Sequence, residues 1–134
     1  MVGEDRQSAV ETVRKTGPIL VIDDEPDFLR FYERMLRRLH YDVVTAERGA
    51  EGVRIAGSRL LDLVVTDLRL PDMDGIAVIR AIRAGTHPPP IIVVSGFYTP
   101  ETQRAAMDAG AAGYLAKPFS VSALTRLIED VLHA

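Results

Sequence analysis

The chain has no cysteine and no tryptophan among its 134 residues. Without thiols, disulfides, thiolate metal sites and cysteine nucleophiles are excluded, and the absence fits a reducing cytoplasm. No apolar run approaches the roughly 18–20 residues that a membrane helix needs, and no basic-then-apolar leader opens the chain. Neither sign of charge dominates: 16 Lys and Arg stand against 19 Asp and Glu, for a net charge of −3. That balance does not attract a polyanion, so nucleic acid is not an expected partner of this domain, and neither is a membrane. Internal repeats and low-complexity tracts are missing as well. What remains is an ordinary globular composition, 47% hydrophobic and 26% charged, at a length that suits one domain with a sizeable core.

Residues 1–17 are mostly polar and weakly periodic, and the expectation is a flexible tail ahead of a folded domain over 18–134. From Pro18 onward, short apolar runs alternate with helical spacing. Ile19-Leu20-Val21-Ile22, Leu60 to Val65 with only Asp62 interrupting, and Ile91-Ile92-Val93-Val94 read as strands buried on both faces. Val43-Val44-Thr45-Ala46 and Gly113-Tyr114-Leu115-Ala116 are weaker runs, suited to positions nearer a sheet edge. Pro26 suits a first helical position, and Phe28, Tyr32, Met35, Leu36 and Leu39 follow at helical spacing. A second helix over 49–57 carries Val53 and Ile55 among three glycines. A third follows Gly75, through Ile76, Val78, Ile79 and Ile82. Thr99-Pro100 starts a fourth through Ala105, Ala106 and Met107, and Ser120 caps a fifth with Leu124, Leu127, Ile128, Val131 and Leu132 on one face. Five strands alternating with five helices predict a doubly wound α/β domain, a flavodoxin-like (βα)5 fold with a parallel sheet in the order 2-1-3-4-5.

In such sheets ligands bind at the carboxyl ends of the strands. The first run ends in Asp23-Asp24, the third in Asp67, the fourth in Ser95 and the fifth in Lys117. Each residue alone is ordinary, since an Asp after a strand is most often a turn former or helix cap and a Lys most often a solvated charge. Together, in the 2-1-3-4-5 order, they converge on one crevice. Three crowded carboxylates repel one another unless a cation compensates them, and a hard cation held by carboxylates, waters and phosphate oxygens describes Mg²⁺. An ammonium and a hydroxyl across the same crevice suit a phosphoryl group.

Four stretches, VIDDE at 21–25, VVTDLRLPDMDG at 64–75, VVSG at 93–96 and YLAKPF at 114–119, resemble the receiver domain of two-component response regulators. The resemblance runs from about Pro18 to the C-terminus. It implies that Asp67 accepts a phosphoryl group from a histidine kinase or a histidine phosphotransfer protein. It further implies that Asp24 binds Mg²⁺ (or Mn²⁺) directly, Asp23 mostly through water, and that Asp67 and the backbone carbonyl of Arg69 complete the metal site. Lys117 would pair with the phosphoryl oxygens, Ser95 would hydrogen-bond to one of them, and Tyr114 would be the switch aromatic. By the same resemblance the Lys117-Pro118 peptide is cis. The output face would be the fourth helix, fifth strand and fifth helix, read by a downstream protein, an output domain or a phosphorylation-dependent homodimer. The implied protein is a cytoplasmic signalling switch and not an enzyme, beyond Mg²⁺-dependent self-phosphorylation and autodephosphorylation. The family varies two residues beyond the phosphoacceptor and two beyond the Ser, positions that influence phosphate lifetime; here they are Arg69 and Phe97.

Three other readings compete. Asp72-Met73-Asp74-Gly75 is similar to the nucleophile motif of haloacid-dehalogenase-like phosphatases, but that motif directly follows a strand, and a turn over Pro71–Gly75 accounts for it. An EF-hand loop starting at Asp72 would place Arg83 where its bidentate Glu belongs. An interaction module that kept the fold and lost phosphorylation would lack Asp24, Asp67 or Lys117, and all are present.

Overall fold

The computed structural model of the chain describes residues 17–133; apart from Gly17, the segment expected to be a flexible tail lies outside the described residues. The elements alternate as β1 (Ile19–Ile22), α1 (Pro26–Arg38), β2 (Val43–Ala46), α2 (Gly49–Ser58), β3 (Leu63–Thr66), α3 (Gly75–Arg83), β4 (Ile91–Ser95), α4 (Pro100–Ala109), β5 (Gly113–Ala116) and α5 (Val121–Leu132). The five strands form one sheet in the order β2-β1-β3-β4-β5, every neighbouring pair parallel. This is the doubly wound flavodoxin-like arrangement that the alternation predicts. Among the described residues no helix is long and apolar enough to cross a membrane.

β1, β3 and β4 are buried along their whole length, as continuous apolar runs require. The edge strands β2 and β5 are only partly covered. Alternate side chains divide the core in two. Ile19, Val21, Leu63, Val65, Ile92 and Val94 face α1 and α5, where Tyr32, Leu36, Leu124 and Ile128 close the layer. Leu20, Ile22, Val64, Ile91 and Val93 face α2, α3 and α4, where Val78, Ile79, Ile82 and Ala106 close the other.

The apolar run into β3 misleads at its start. The run from Leu60 enters the sheet only at Leu63: Leu60 is 72% exposed, and the Asp62 N–H is spent on the Pro18 carbonyl at 3.0 Å, ahead of the strand. In α4, Ala106 alone is buried, while Ala105 is exposed and Met107 is 42% exposed. The helix ends follow the local signals. Thr99 and Thr102 form a reciprocal capping box at the start of α4, Ser120 accepts from Ala123 N–H, and Gly110 ends α4 at φ 114°, a left-handed angle suited to glycine.

The loop after β3 is closed on itself. Gly75 N–H donates to the Leu68 carbonyl at 2.8 Å, Arg69 and Asp74 form an isolated antiparallel bridge, and Asp74 caps α3 through Ile76 N–H. A Cβ at position 75 would lie 2.4 Å from Leu68 Cα, so this approach needs glycine. Asp72 does more than turn the chain: its carboxylate accepts from Gly49 N–H at 2.7 Å and Ala50 N–H at 2.9 Å, capping α2, whose own N-cap residue Arg48 makes no side-chain cap.

Candidate functional site

Parallel register carries the chain from buried strands into polar residues at one edge of the sheet. Ile22 pairs with Thr66 and Ala46 in register, so Asp23 and Asp67 emerge side by side; Ser95 pairs with Ala116, which brings Lys117 out one strand further along. Asp23 is 1% exposed and Asp67 9%. Lys117 reaches back to both, its Nζ donating to Asp23 Oδ2 at 2.9 Å and Asp67 Oδ2 at 3.0 Å. Residues 94 and 50 positions apart thus meet in one buried ion triad. The Lys117-Pro118 peptide is cis, as the resemblance implied.

Backbone donors fix the two carboxylates from the other side. Glu25 N–H donates to Asp23 Oδ1 at 2.9 Å, and Arg69 N–H donates to Asp67 Oδ1 at 3.2 Å. The Lys117 ammonium also lies 3.9 Å from the centroid of Phe28, which braces its third side. Burial pushes the Asp23 carboxyl up from its ordinary value, and the Glu25 N–H and Lys117 only partly offset this. Burial opposes the Lys117 charge, but bonds to Asp23 and Asp67 outweigh it and raise its pKa. The Tyr32 phenol beneath the site is raised as well, by burial first and then by the charges of Asp23 and Asp67.

Asp23, Asp24 and Glu25 bring carboxylate oxygens within 4.8 Å of one another, with Asp23 buried and the other two exposed. Sequence reasoning placed Asp23 and Asp24 there and missed Glu25, although it directly follows them. Asp67 joins the set through Lys117. Four carboxylates against one ammonium leave the cluster negative, and hard oxygen donors with one buried, destabilised carboxylate fit a divalent cation such as Mg²⁺.

Ser95 is placed differently from the triad. It is 1% exposed, and its Oγ accepts from Phe97 N–H at 3.1 Å, within its own loop. Tyr114 donates its phenolic hydroxyl to the Phe97 carbonyl at 2.8 Å and packs edge-on against Tyr98 at 5.6 Å. Both residues singled out as switch elements therefore grip one residue, Phe97. Asp72, the first residue of the phosphatase-like motif, sits well past the end of β3 at Thr66 and is engaged by α2, so it is no strand-end nucleophile.

Residues 19–129 match the family model described as the response regulator receiver domain. The transcriptional regulatory protein PrrA of Mycobacterium tuberculosis is 37% identical over 118 residues, covering 87% of this chain and 51% of that protein. KdpE of the same organism is 43% identical over 103 residues, covering 77% of this chain and 45% of its own length. The chain thus spans about half the length of these curated relatives. Among solved structures, the receiver domain of a Pseudomonas aeruginosa sensor histidine kinase, with a magnesium ion coordinated in its active-site cleft, superposes with a TM-score of 0.81 at 32% identity; 88% of this chain and 98% of that one are covered. A Burkholderia pseudomallei response regulator with a phosphorylated aspartic acid, calcium and citrate gives a TM-score of 0.77 at 28% identity, over 87% of this chain and 69% of that one. Sequence, sheet order and strand-end chemistry agree, and the chain belongs to the response regulator receiver domain family.

Proposed function

We propose that Asp67 accepts a phosphoryl group from the phosphohistidine of a histidine kinase or histidine phosphotransfer protein, and that the domain formed by residues 18–134 works as a cytoplasmic signalling switch. The observation that carries this reading is the triad: Lys117 held between two buried carboxylates at adjacent strand ends. A buried, aligned carboxylate is a competent nucleophile toward phosphorus. One oxygen of Asp67 bonds to phosphorus while the bond from phosphorus to the donor nitrogen breaks, giving an acyl phosphate. Arg69 N–H holds the other oxygen of Asp67 and so fixes the attacking geometry. Asp23, Asp24 and Asp67, with the backbone carbonyl of Arg69, would hold Mg²⁺ (or Mn²⁺), with Glu25 close by. When bound, that ion supplies charge neutralisation for the carboxylates and the incoming phosphoryl oxygens.

Once Asp67 is modified, Lys117 pairs with the phosphoryl oxygens, and the Ser95 hydroxyl trades its Phe97 N–H for a phosphoryl oxygen. Tyr114, tied to the same residue, follows, and the α4, β5 and α5 face changes shape for its reader. That reader is a downstream protein, an output domain or a second copy of the chain, and not nucleic acid or a membrane. Self-phosphorylation from a small phosphodonor and autodephosphorylation are the chemistry the domain performs alone. The test is intact mass after incubation with acetyl phosphate and Mg²⁺. A single phosphoryl adduct is expected on the wild type, with none when Mg²⁺ is chelated and none on Asp67→Asn. A labelled Asp67→Asn would refute the assignment.

A further inference from the structure

Arg69 is exposed, two residues beyond Asp67, and among the described residues its guanidinium forms no ion pair. It lies instead over the Phe97 ring, 3.7 Å from the centroid. This contact crosses between two loops: Arg69 belongs to the loop after β3, and Phe97 to the loop after β4. Phe97 itself is 44% exposed, so the ring is no core residue and one of its faces is given to the guanidinium. The backbone of the same residue is held at both ends, its N–H by Ser95 Oγ and its carbonyl by the Tyr114 hydroxyl. Three groups, from the loop after β3, the end of β4 and the start of β5, therefore converge on one residue, and one of them is a cation two residues from Asp67.

We propose that Arg69 is a second phosphoryl-responsive group: it is parked on the Phe97 ring while Asp67 is free and transfers to the phosphoryl oxygens when Asp67 is modified, unlatching the β4–α4 loop. This rests on the reading of Asp67 as phosphoacceptor. The direction of transfer follows from relative strengths. A guanidinium over a half-exposed phenyl ring gains a weak contact with a quadrupole, whereas a phosphoryl group offers charged oxygens for two parallel N–H bonds. Arg69 starts close, because its backbone N–H already holds Asp67 Oδ1. Leaving the ring frees the Phe97 side chain at the moment Ser95 releases the Phe97 N–H, so two of its three restraints go together. Arg69 acts here by positioning Phe97, and its guanidinium is a separate device from its backbone carbonyl at the metal.

NMR of the Arg69 δ-methylene and Nε–H tests this, with beryllofluoride and Mg²⁺ as the persistent phosphoryl stand-in and intact mass after acetyl phosphate counting adducts in parallel. The Phe97→Leu chain keeps the fold, since the ring is surface-exposed, and it supplies the ring-free reference. In the unmodified wild type the δ-methylene protons are shifted upfield by the ring. With beryllofluoride they move to the Phe97→Leu position, Nε–H moves downfield, and Tyr114 ring signals change in the same titration. A wild type that gains the adduct while its Arg69 signals stay upfield overturns the proposal and makes the stack a fixed roof. Arg69 signals that move while Tyr114 stays still overturn the unlatching. No adduct by mass removes the Asp67 reading, and the proposal with it, a failure seen on a separate instrument.

Discussion

The two faces of the sheet differ in how firmly they hold their helices. On the α1 and α5 side, long side chains interlock: Leu29, Tyr32, Met35 and Leu36 from α1 meet Leu124 and Ile128 from α5. An aromatic group extends this toward the site, with Tyr32, Phe31 and Phe119 at centroid distances of 5.6–6.3 Å from one another. On the other side only α3 buries large residues. α2 buries two glycines, Gly49 and Gly52, and α4 buries only Ala106. The triad leans on the firm side, through Phe28 beneath Lys117, while Ser95, Phe97 and Tyr114 connect to the light side. A switch needs both: a rigid frame that holds reacting groups in place, and an element whose rearrangement costs little.

Removing a firm contact has the largest effect. Leu36→Ala deletes a fully buried side chain of α1 and is expected to cost about 2–5 kcal/mol in urea unfolding at equal m-value. A cost under about 0.5 kcal/mol, the size of an ordinary surface change, would dissolve the contrast between the faces.

Asp23→Asn probes the charge that the firm side tolerates. Burial raises this carboxyl, so its ionised form is a penalty to folding, full above its folded pKa and gone below its ordinary value of 3.8. The variant keeps an oxygen for Lys117 and should melt higher than the wild type at neutral pH in chelator. Its advantage shrinks as the pH falls toward 3.8, and its Mg²⁺ titration is weakened. A lower melting temperature in chelator would make Asp23 a structural anchor instead.

On the light side, Asp72 carries the opposite sign. The Ala50 and Gly49 N–H groups hold its carboxyl below the ordinary 3.8, so its support is full above that value and lost as pH falls through the lower folded value. Asp72→Asn is therefore less stable than the wild type at pH 7, and urea midpoints of the two converge at the acid end. A constant gap across the range would show that charge is irrelevant to this cap. The smallest effect is expected at Met107→Ala on α4, within about 0.5 kcal/mol, because that side chain is 42% exposed. A loss comparable to Leu36→Ala would mean that α4 is clamped after all.

The sequence was most readable in its short, uninterrupted apolar runs. β1, β2 and β5 lie where Ile19–Ile22, Val43–Ala46 and Gly113–Ala116 place them, β4 runs one residue past Ile91–Val94, and the strand-end rule for a 2-1-3-4-5 sheet brought Asp23, Asp67 and Lys117 together. It failed where tertiary neighbours decide. The start of β3 depends on Asp62 meeting the Pro18 backbone, and Asp72 finds backbone donors 22 and 23 residues away, whose presence no side chain announces. The stack of Arg69 on Phe97 joins two positions that resemblance singled out separately; only the folded loops bring them together. Ser95 ends β4 where its run places it, and the bond its Oγ accepts from Phe97 N–H is one that only the folded loop provides.

Peptide-resolved hydrogen exchange, with and without acetyl phosphate and Mg²⁺ and with intact mass verifying the adduct on Asp67, tests the central claim most directly. The account predicts changed exchange across residues 96–116, covering the β4–α4 loop, α4 and β5, with α1 and β1 unchanged. An adducted chain whose exchange changes in α1 and β1 and not over 96–116 would contradict it.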